Sequence, residues 1–142
     1  MSEKTWLITG VSSGFGRELA EQLLARGHRV LGTVRRADAV ADLVTQYPQT
    51  FVVRLLEMTN LVAVRALVDS AFAELGTVDV IASNAGYGLC GAAEELSDDE
   101  VAAILGTNLA GSIQLIRAAL PHLRRQGHGR IVQLSSYGGQ VA

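Results

Sequence analysis

The chain has little of what disulfides, membrane spans and nucleic-acid surfaces require. Its 142 residues include a single cysteine, Cys90, which excludes an internal disulfide and favours a reducing cytoplasm. Charged residues make up 18%, and a net charge of −2 argues against a nucleic-acid or acidic membrane partner. No apolar run approaches the roughly 18 residues of a transmembrane helix, so we predict no membrane span. The histidines lack metal-ligand spacing; we expect no metal site, and a surface position near helix ends for His28, His122 and His128.

Glycine, in contrast, occurs 15 times, and three glycines fall in one segment. Residues 6–8 predict a buried strand, the segment 9–16 reads Thr-Gly-Val-Ser-Ser-Gly-Phe-Gly, and a helical apolar pattern begins inside it. Such a turn presents free backbone N–H groups and the positive end of a helix dipole to an anion. Gly10 suits the tight turn, Gly14 leaves room for a pyrophosphate, and Gly16 lets helix and strand pack closely. The spacing differs from the general Gly-x-Gly-x-x-Gly fingerprint.

Apolar runs alternate with helical patterns along the whole chain. Continuous Val, Ile and Leu runs predict buried parallel strands at 4–9, 28–34, 50–55, 78–83 and 130–135. Helices are predicted at 14–26, 37–46, 61–75 and, from a capping box at 97–100, at 97–126 with a break near Gly106 and a kink at Pro121. The sequence therefore predicts one α/β domain over 1–142, a Rossmann-like doubly wound parallel sheet with strand order 3-2-1-4-5.

Four motifs occur in a fixed order along this alternation. They are Thr9-Gly10-x-x-x-Gly14-x-Gly16, Asn84-Ala85-Gly86, Asn108, and the run Gly-Arg-Ile-Val-Gln-Leu-Ser-Ser over 129–136. Together they resemble the short-chain dehydrogenase/reductase family in its single-domain branch, and the glycine spacing disfavours the extended branch with its sugar-nucleotide epimerases. The resemblance covers the whole chain. It implies an oxidoreductase that transfers a hydride between a nicotinamide cofactor and a small carbonyl or alcohol substrate.

The resemblance also implies which cofactor is used. NAD-preferring relatives keep an acidic residue at the end of the second strand, where this chain has Val34 followed by Arg35 and Arg36. Guanidinium groups favour a 2′-phosphate, so we expect NADP(H) rather than NAD(H), with Arg35 as the phosphate contact, Ser13 nearby, and Arg36 either helping or solvated. Two surface arginines that start a helix are the alternative interpretation.

Further cofactor contacts follow from the same family pattern. Glu57 matches an aspartate that addresses the adenine amine, and Met58 would lie near the adenine. Asn84 is expected to tie adjacent strands together, with Ser83 in place of the family's usual second asparagine but still able to hydrogen-bond. The full set of predicted cofactor-binding residues is Gly10, Ser12, Ser13, Gly14, Phe15, Gly16, Arg35, Arg36, Glu57, Met58, Asn84, Ala85 and Gly86.

The family's catalytic set consists of Asn, Ser, Tyr and Lys, and two of them have matches here. Asn108 matches the helix asparagine that anchors a proton-relay water, and Ser136 matches the serine that hydrogen-bonds the substrate oxygen. The family's Tyr-x-x-x-Lys follows the serine by a dozen or so residues, and the sequence ends at Ala142 without it. We therefore expect the 142-residue chain to lack the family's C-terminal part and to be inactive alone.

Three interpretations remain open at this point. The chain is a truncated NADP-dependent oxidoreductase, or an enzyme completed by another polypeptide, or a non-catalytic dinucleotide-binding or interaction module. In the family the helix over 107–126 commonly takes part in a dimer interface, so we expect a homo-oligomer through this helix when the protein is complete.

Overall fold

Five parallel strands form one sheet in the order β3-β2-β1-β4-β5, as predicted. The computed structural model describes residues 3–137. Leu7 of the central strand lies opposite Leu31 on one side and Ile81 on the other. The strands are β1 Thr5–Thr9, β2 Arg29–Val34, β3 Phe51–Leu55, β4 Val80–Ser83 and β5 Arg130–Gln133.

The predicted strands ran up to two residues too long. At the start of β4, for example, Val78 is fully buried and was assigned to the strand because it is apolar. Its backbone bonds to a side chain instead of a neighbouring strand: the Val78 N–H donates to Oε1 of Gln126 (3.1 Å), and Nε2 of Gln126 donates to the Val78 carbonyl (3.0 Å). Apolar character alone therefore placed the strand boundary too early.

Residues 3–137 form five α-helices, of which α1 and α2 cover one face of the sheet and α3 and α5 the other; the helix predicted over 37–46 divides into a 3₁₀ turn, Ala37–Val40, and a short α-helix. Asn60 caps the third helix, with its Oδ1 accepting from the Ala63 N–H at 3.0 Å. The helices are α1 Gly14–Ala25, α2 Ala41–Gln46, α3 Leu61–Leu75, α4 Asp98–Leu105 and α5 Ser112–Gln126.

Alternate residues of the strands enter two separate cores. Leu7 and its neighbours pack with α3 and α5 on one face, while Ile8 packs with α1 and α2 on the other. Because both faces are covered, the central strands are continuous apolar runs with no polar alternation. The polar side chains of the central strands β1 and β4 consequently lie at the strand ends.

The predicted break in the long helix is a π-helical segment, Gly106–Gly111, between α4 and α5. The capping box that starts α4 is present: the Ser97 Oγ accepts from the Glu100 N–H at 3.3 Å, and Oε2 of Glu100 accepts from the Ser97 N–H at 2.9 Å. The helix continues through Pro121 and ends at Gly127, whose φ is +80°.

The expectation that no segment is apolar enough to cross a membrane was too strong. Residues Asp98–Gln126 form 29 residues of helix whose best 18-residue window has a mean hydropathy of 1.2, with 28% of that window buried. By length and composition this helix could span a membrane, and a core helix of a soluble protein meets the same criterion. The sequence shows no continuous apolar run here because Gly, Thr and Asn interrupt it. These residues carry no charge, so the mean hydropathy of the helix stays high.

The surface prediction for His28 was also wrong. Its side chain is buried, with 9% exposure, and its Nδ1 accepts from the Lys4 N–H at 3.1 Å. His28 lies between α1 and β2, and its ring accepts the hydrogen bond of the backbone N–H that directly precedes β1. Within residues 3–137 there is no group of three or more potential metal ligands.

Candidate functional site

A cavity of about 450 Å³ opens at the edge of the sheet where the five strands end. Residues that follow all five strands meet there because the carboxyl ends of parallel strands share one edge. Arg35 and Glu57 are the charged residues among the described lining. The lining consists of Gly10, Ser12, Ser13, Gly14, Phe15, Thr33, Val34, Arg35, Leu56, Glu57, Met58, Asn84, Ala85, Gly86, Tyr87, Thr107 and Leu134.

The glycine turn forms one wall of this cavity. Gly10 has a φ of +76°, and its N–H donates to the Thr33 carbonyl at 3.1 Å, which holds the turn against β2. Gly14 has a φ of +58°, and within residues 3–137 a Cβ at this position would meet no atom within 4 Å apart from its chain neighbours and the backbone of its own helix. The wall is therefore open at Gly14, and the first-turn N–H groups of α1 border the open space. Phe15 follows with an 83% exposed side chain.

Thr9 and Asn84 fasten the turn to the end of β4. The Thr9 Oγ1 accepts from the N–H groups of Asn84 and Ala85, both at 3.0 Å. In return, Nδ2 of Asn84 donates to the carbonyls of Thr9 and Gly10, both at 2.9 Å. The predicted role of Asn84 in tying adjacent strands is thus present in the structure.

Ser83 does not share in this bracing. Its side chain is 1% exposed, and its Oγ is buried with no hydrogen-bond partner among residues 3–137. The expectation that the Ser83 side chain still hydrogen-bonds was wrong, because its hydroxyl is buried where the described residues offer no partner. Thr9 and Asn84 supply the contacts instead.

The two arginines after β2 have different surroundings. Arg35 lines the cavity. Arg36 lies outside the lining and pairs with Asp38, with Nε to Oδ1 at 3.1 Å and Nη2 to Oδ2 at 2.6 Å. This hydrogen bond lowers the pKa of Asp38 and raises that of Arg36. Arg36 is therefore solvated and paired with Asp38, which is the second of the two roles considered for it.

The residues after β3 form the opposite wall. Glu57 is exposed and Met58 is 4% exposed, and both line the cavity. Met58 also packs on the π-helical segment, since a Cβ on Gly111 would lie 2.7 Å from the Met58 carbonyl oxygen. The end of β3 and the π-helical segment are thus in direct contact.

Asn108 lies within the π-helical segment and faces the residues after β4. Its Oδ1 accepts from the Tyr87 N–H at 3.1 Å, and its Nδ2 donates to the Tyr87 carbonyl at 2.8 Å. The side chain therefore pairs with one residue's backbone as a peptide group would, and it holds the segment that continues from Gly86. π-Helical turns often occur at functional sites.

Ser136 follows β5 at the same edge of the sheet. β5 ends at Gln133, and the Leu134 N–H donates to the Ser83 carbonyl at 3.0 Å, so the chain stays beside β4 past its last strand residue. Leu134 lines the cavity, and Ser136 is exposed two residues further on.

Eleven of the thirteen predicted cofactor residues line one cavity; Gly16 and Arg36 do not. Gly16 lies behind the turn, where its missing side chain allows the close packing that was predicted for it. The predicted set of cofactor-binding residues omitted Val34 and five further lining residues. Most of them lie at or just after a strand end, next to a recognised motif, and could have been predicted from that position. The five further residues are Thr33, Leu56, Tyr87, Thr107 and Leu134.

Comparison with known proteins gives concordant matches. The sequence profile of the short chain dehydrogenase family matches residues 4–142. A 3-ketodihydrosphingosine reductase of Bacteroides thetaiotaomicron is 36% identical over 139 residues, which are 98% of this chain and 49% of that protein. The chain spans about half the length of the curated relatives it matches.

Solved structures agree in fold. A short-chain dehydrogenase from Streptomyces avermitilis superposes with a TM-score of 0.94 at 40% identity, covering 99% of this chain and 52% of that one. The structure of ElxO with NADP bound superposes with a TM-score of 0.89 at 26% identity, covering 99% of this chain and 58% of that one.

Proposed function

Because this chain belongs to the short-chain dehydrogenase family, we propose that it forms the nucleotide-binding part of an NADP(H)-dependent oxidoreductase that acts on a small carbonyl or alcohol substrate. The observation that carries the proposal is the cavity itself, where an open glycine wall and a helix N-terminus stand beside the guanidinium of Arg35. The wall suits a pyrophosphate, and the guanidinium suits a further phosphate. A relative in structure is known with NADP bound, which supports the same cofactor class.

The residues present fit a dinucleotide. A side chain at position 14 would project into the open space, so glycine keeps that space available to a ligand. Val34, at the end of β2, stands where a carboxylate would repel a 2′-phosphate, and the acidic residue of the described lining, Glu57, follows the neighbouring strand β3. The carboxylate of Glu57 can accept a hydrogen bond from an exocyclic amine.

Two residues of this chain would serve the reaction. The cofactor supplies a hydride when it is bound. Ser136 would donate a hydrogen bond to the substrate oxygen, and Asn108 would keep Tyr87 and the adjoining cavity wall in position while anchoring a water. The isolated 142 residues contain no Tyr-x-x-x-Lys after Ser136, so we expect them to bind nucleotide without useful turnover, since one positioned acid or base contributes about 10²–10⁴ in rate.

The second candidate function is a non-catalytic dinucleotide-binding or interaction module. The nucleotide side of the cavity would serve this function equally well. Hydride transfer to carbonyl compounds by the protein at its full natural length separates the two, since the module predicts binding alone. Loss of that activity in Ser136→Ala would support the enzyme.

The proposal extends to assembly and location. Exposed apolar side chains on the helix at Leu105, Leu109 and Ile113 offer a face for a second copy. A cytoplasmic location rests on the single, exposed cysteine, Cys90, which suits a reducing compartment.

Cofactor titration tests the proposal directly. We expect Arg35→Gln to weaken NADPH binding by about 1.5–3 kcal/mol, roughly ten- to a hundredfold, because a charged hydrogen bond is lost. NADH binding should stay within about twofold. The matched control is Arg36→Gln, which removes the same charge one residue later from an arginine outside the cavity. Equal losses for both cofactors in Arg35→Gln, or an equal effect of the two variants, would contradict the role of Arg35.

A further inference from the structure

The side chain of Arg17 joins two segments that border the cavity. Arg17 lies in the first turn of α1, and its backbone N–H donates to the Ser13 carbonyl at 3.3 Å. Its guanidinium crosses to the segment that follows β2, where Nη1 donates to the Ala39 carbonyl at 3.2 Å and Nη2 donates to the carboxylate of Asp42. One side chain therefore connects the helix of the glycine turn to the residues that come after Arg35.

All three guanidinium nitrogens of Arg17 are engaged. The Nε donates to Oε1 of Glu21 at 2.7 Å, one helical turn further along α1. The side chain is 26% exposed, less than either carboxylate that it contacts. A planar guanidinium with every nitrogen bonded has a fixed orientation, which a lysine at this position could not reproduce. The hydrogen bond from Arg17 also lowers the pKa of Asp42, so the pair is ionised at neutral pH.

The segment 35–42 carries two carboxylates, and each has its own arginine. Asp38 pairs with Arg36, and Asp42 pairs with Arg17. Arg35 is thereby left without a carboxylate partner among residues 3–137, next to the cavity. Loss of Arg17 would release the segment from α1 and add an uncompensated negative charge to it.

We infer that Arg17 is a positioning residue for cofactor selectivity: by holding Ala39 and Asp42 it fixes the segment that presents Arg35 to a 2′-phosphate. Arg17 itself lies outside the described cavity lining, so it acts through that segment. The inference rests on the proposed function, because it requires NADP(H) to be the ligand. It adds that selectivity depends on a residue of α1 as well as on the end of β2.

The test measures dissociation constants for NADPH and NADH by fluorescence titration of the protein at its full natural length. Arg17→Gln should weaken NADPH binding about three- to tenfold, the equivalent of one lost hydrogen bond, and leave NADH within about twofold. Glu21→Gln is the matched control, because it breaks the Arg17–Glu21 pair and leaves the contacts with Ala39 and Asp42 in place. That control should leave the ratio of the two constants unchanged.

Asp42→Ala distinguishes positioning from direct contact. If Arg17 positions the segment, Asp42→Ala weakens NADPH binding in the same direction as Arg17→Gln. If the Arg17 guanidinium, once released from Asp42, instead binds the 2′-phosphate directly, Asp42→Ala tightens NADPH binding. That result would overturn the inference. Exchanging the two residues, Arg17→Asp with Asp42→Arg, should restore part of the lost selectivity.

The remaining outcomes separate this inference from the proposed function. Wild-type protein without preference for NADPH would contradict the cofactor proposal and this inference together. A wild-type preference that persists in Arg17→Gln would overturn the inference alone. Equal weakening of both cofactors in Arg17→Gln, accompanied by a lower melting temperature, would show a purely structural role and would also overturn it.

Discussion

Position 16 and the amide of Asn84 leave no room for a side chain between them. A Cβ on Gly16 would lie 2.3 Å from Nδ2 of Asn84 and 2.2 Å from the Gly10 carbonyl oxygen. The missing methyl group therefore sets how closely α1 approaches the end of β4. The same amide nitrogen donates to Thr9 and Gly10, so a displaced Asn84 would also release the glycine turn.

We expect Gly16→Ala to destabilise the fold by about 1–3 kcal/mol, the usual cost of forcing an atom into a packed site. Nucleotide binding should be lost as well, because the turn and Asn84 cannot both keep their places. Urea unfolding and NADPH titration measure the two effects. Gly88→Ala is the matched control, since a Cβ there meets nothing within 4 Å. Similar behaviour of the two variants would contradict the packing argument.

The Thr9 hydroxyl should contribute to stability out of proportion to its size. Thr9→Val keeps the shape of the side chain but leaves the N–H groups of Asn84 and Ala85 without their acceptor. A buried donor left unsatisfied costs about 1–3 kcal/mol, and these two donors are partly buried, so we expect the free energy of unfolding to fall by about that amount.

Thr5→Val is the comparison for this experiment. Thr5 lies in the same strand, is 8% exposed, and its hydroxyl has no hydrogen-bond partner within residues 3–137. That variant should be neutral or slightly stabilising. A loss as large as that of Thr9→Val would show that strand position, and not the acceptor, is responsible.

The capping box of α4 should give a measurable acid response. Hydrogen bonds from the Ser97 backbone and hydroxyl lower the pKa of Glu100 below its usual value. A folded-state pKa below the unfolded one adds stability at pH values above the unfolded pKa, and this stability is lost as the pH falls through the folded pKa. Ser97→Ala should raise the pKa of Glu100 in an NMR titration and reduce the acid-dependent loss, whereas Ser97→Thr should preserve both. An unchanged pKa in Ser97→Ala would contradict the hydroxyl's part in the shift.

The exposed apolar residues of the long helix should cause self-association. Leu105, Leu109 and Ile113 are 54%, 55% and 47% exposed. Sedimentation over a range of concentrations should show oligomers of the wild type, and Leu109→Glu should reduce them by placing a charge in the contact. Val62→Glu introduces the same charge at an 80% exposed position on α3 and should have no effect. Monomeric wild-type protein at every concentration would rule out this face as an interface.

Sequence patterns predicted the strand order and most of the cavity because they depend on local signals. The glycine turn at Gly10 to Gly16 and the residues after each strand follow directly from apolar runs and their ends. The contacts that distinguish neighbouring residues were beyond reach, because they depend on side-chain orientation and, for Arg17, on segments distant in the chain. Arg36 pairs with Asp38 while Arg35 faces the cavity, and Arg17 reaches Asp42 across 25 positions. The burial of Ser83 likewise depends on the strands beside it.

The π-helical segment Gly106–Gly111 changes the helical phase of everything beyond it. Residues four apart on an α-helix advance by about 40° around the axis, so a stripe of such residues winds away from a straight line. A π turn, with i→i+5 bonding, holds more residues per revolution. Residues four apart across it are therefore displaced around the axis in the opposite direction. Val101, Leu105, Leu109 and Ile113 follow each other at intervals of four across the segment, and all four are exposed. The wide turn therefore straightens the stripe, and a partner helix can follow it lengthwise without having to coil around it.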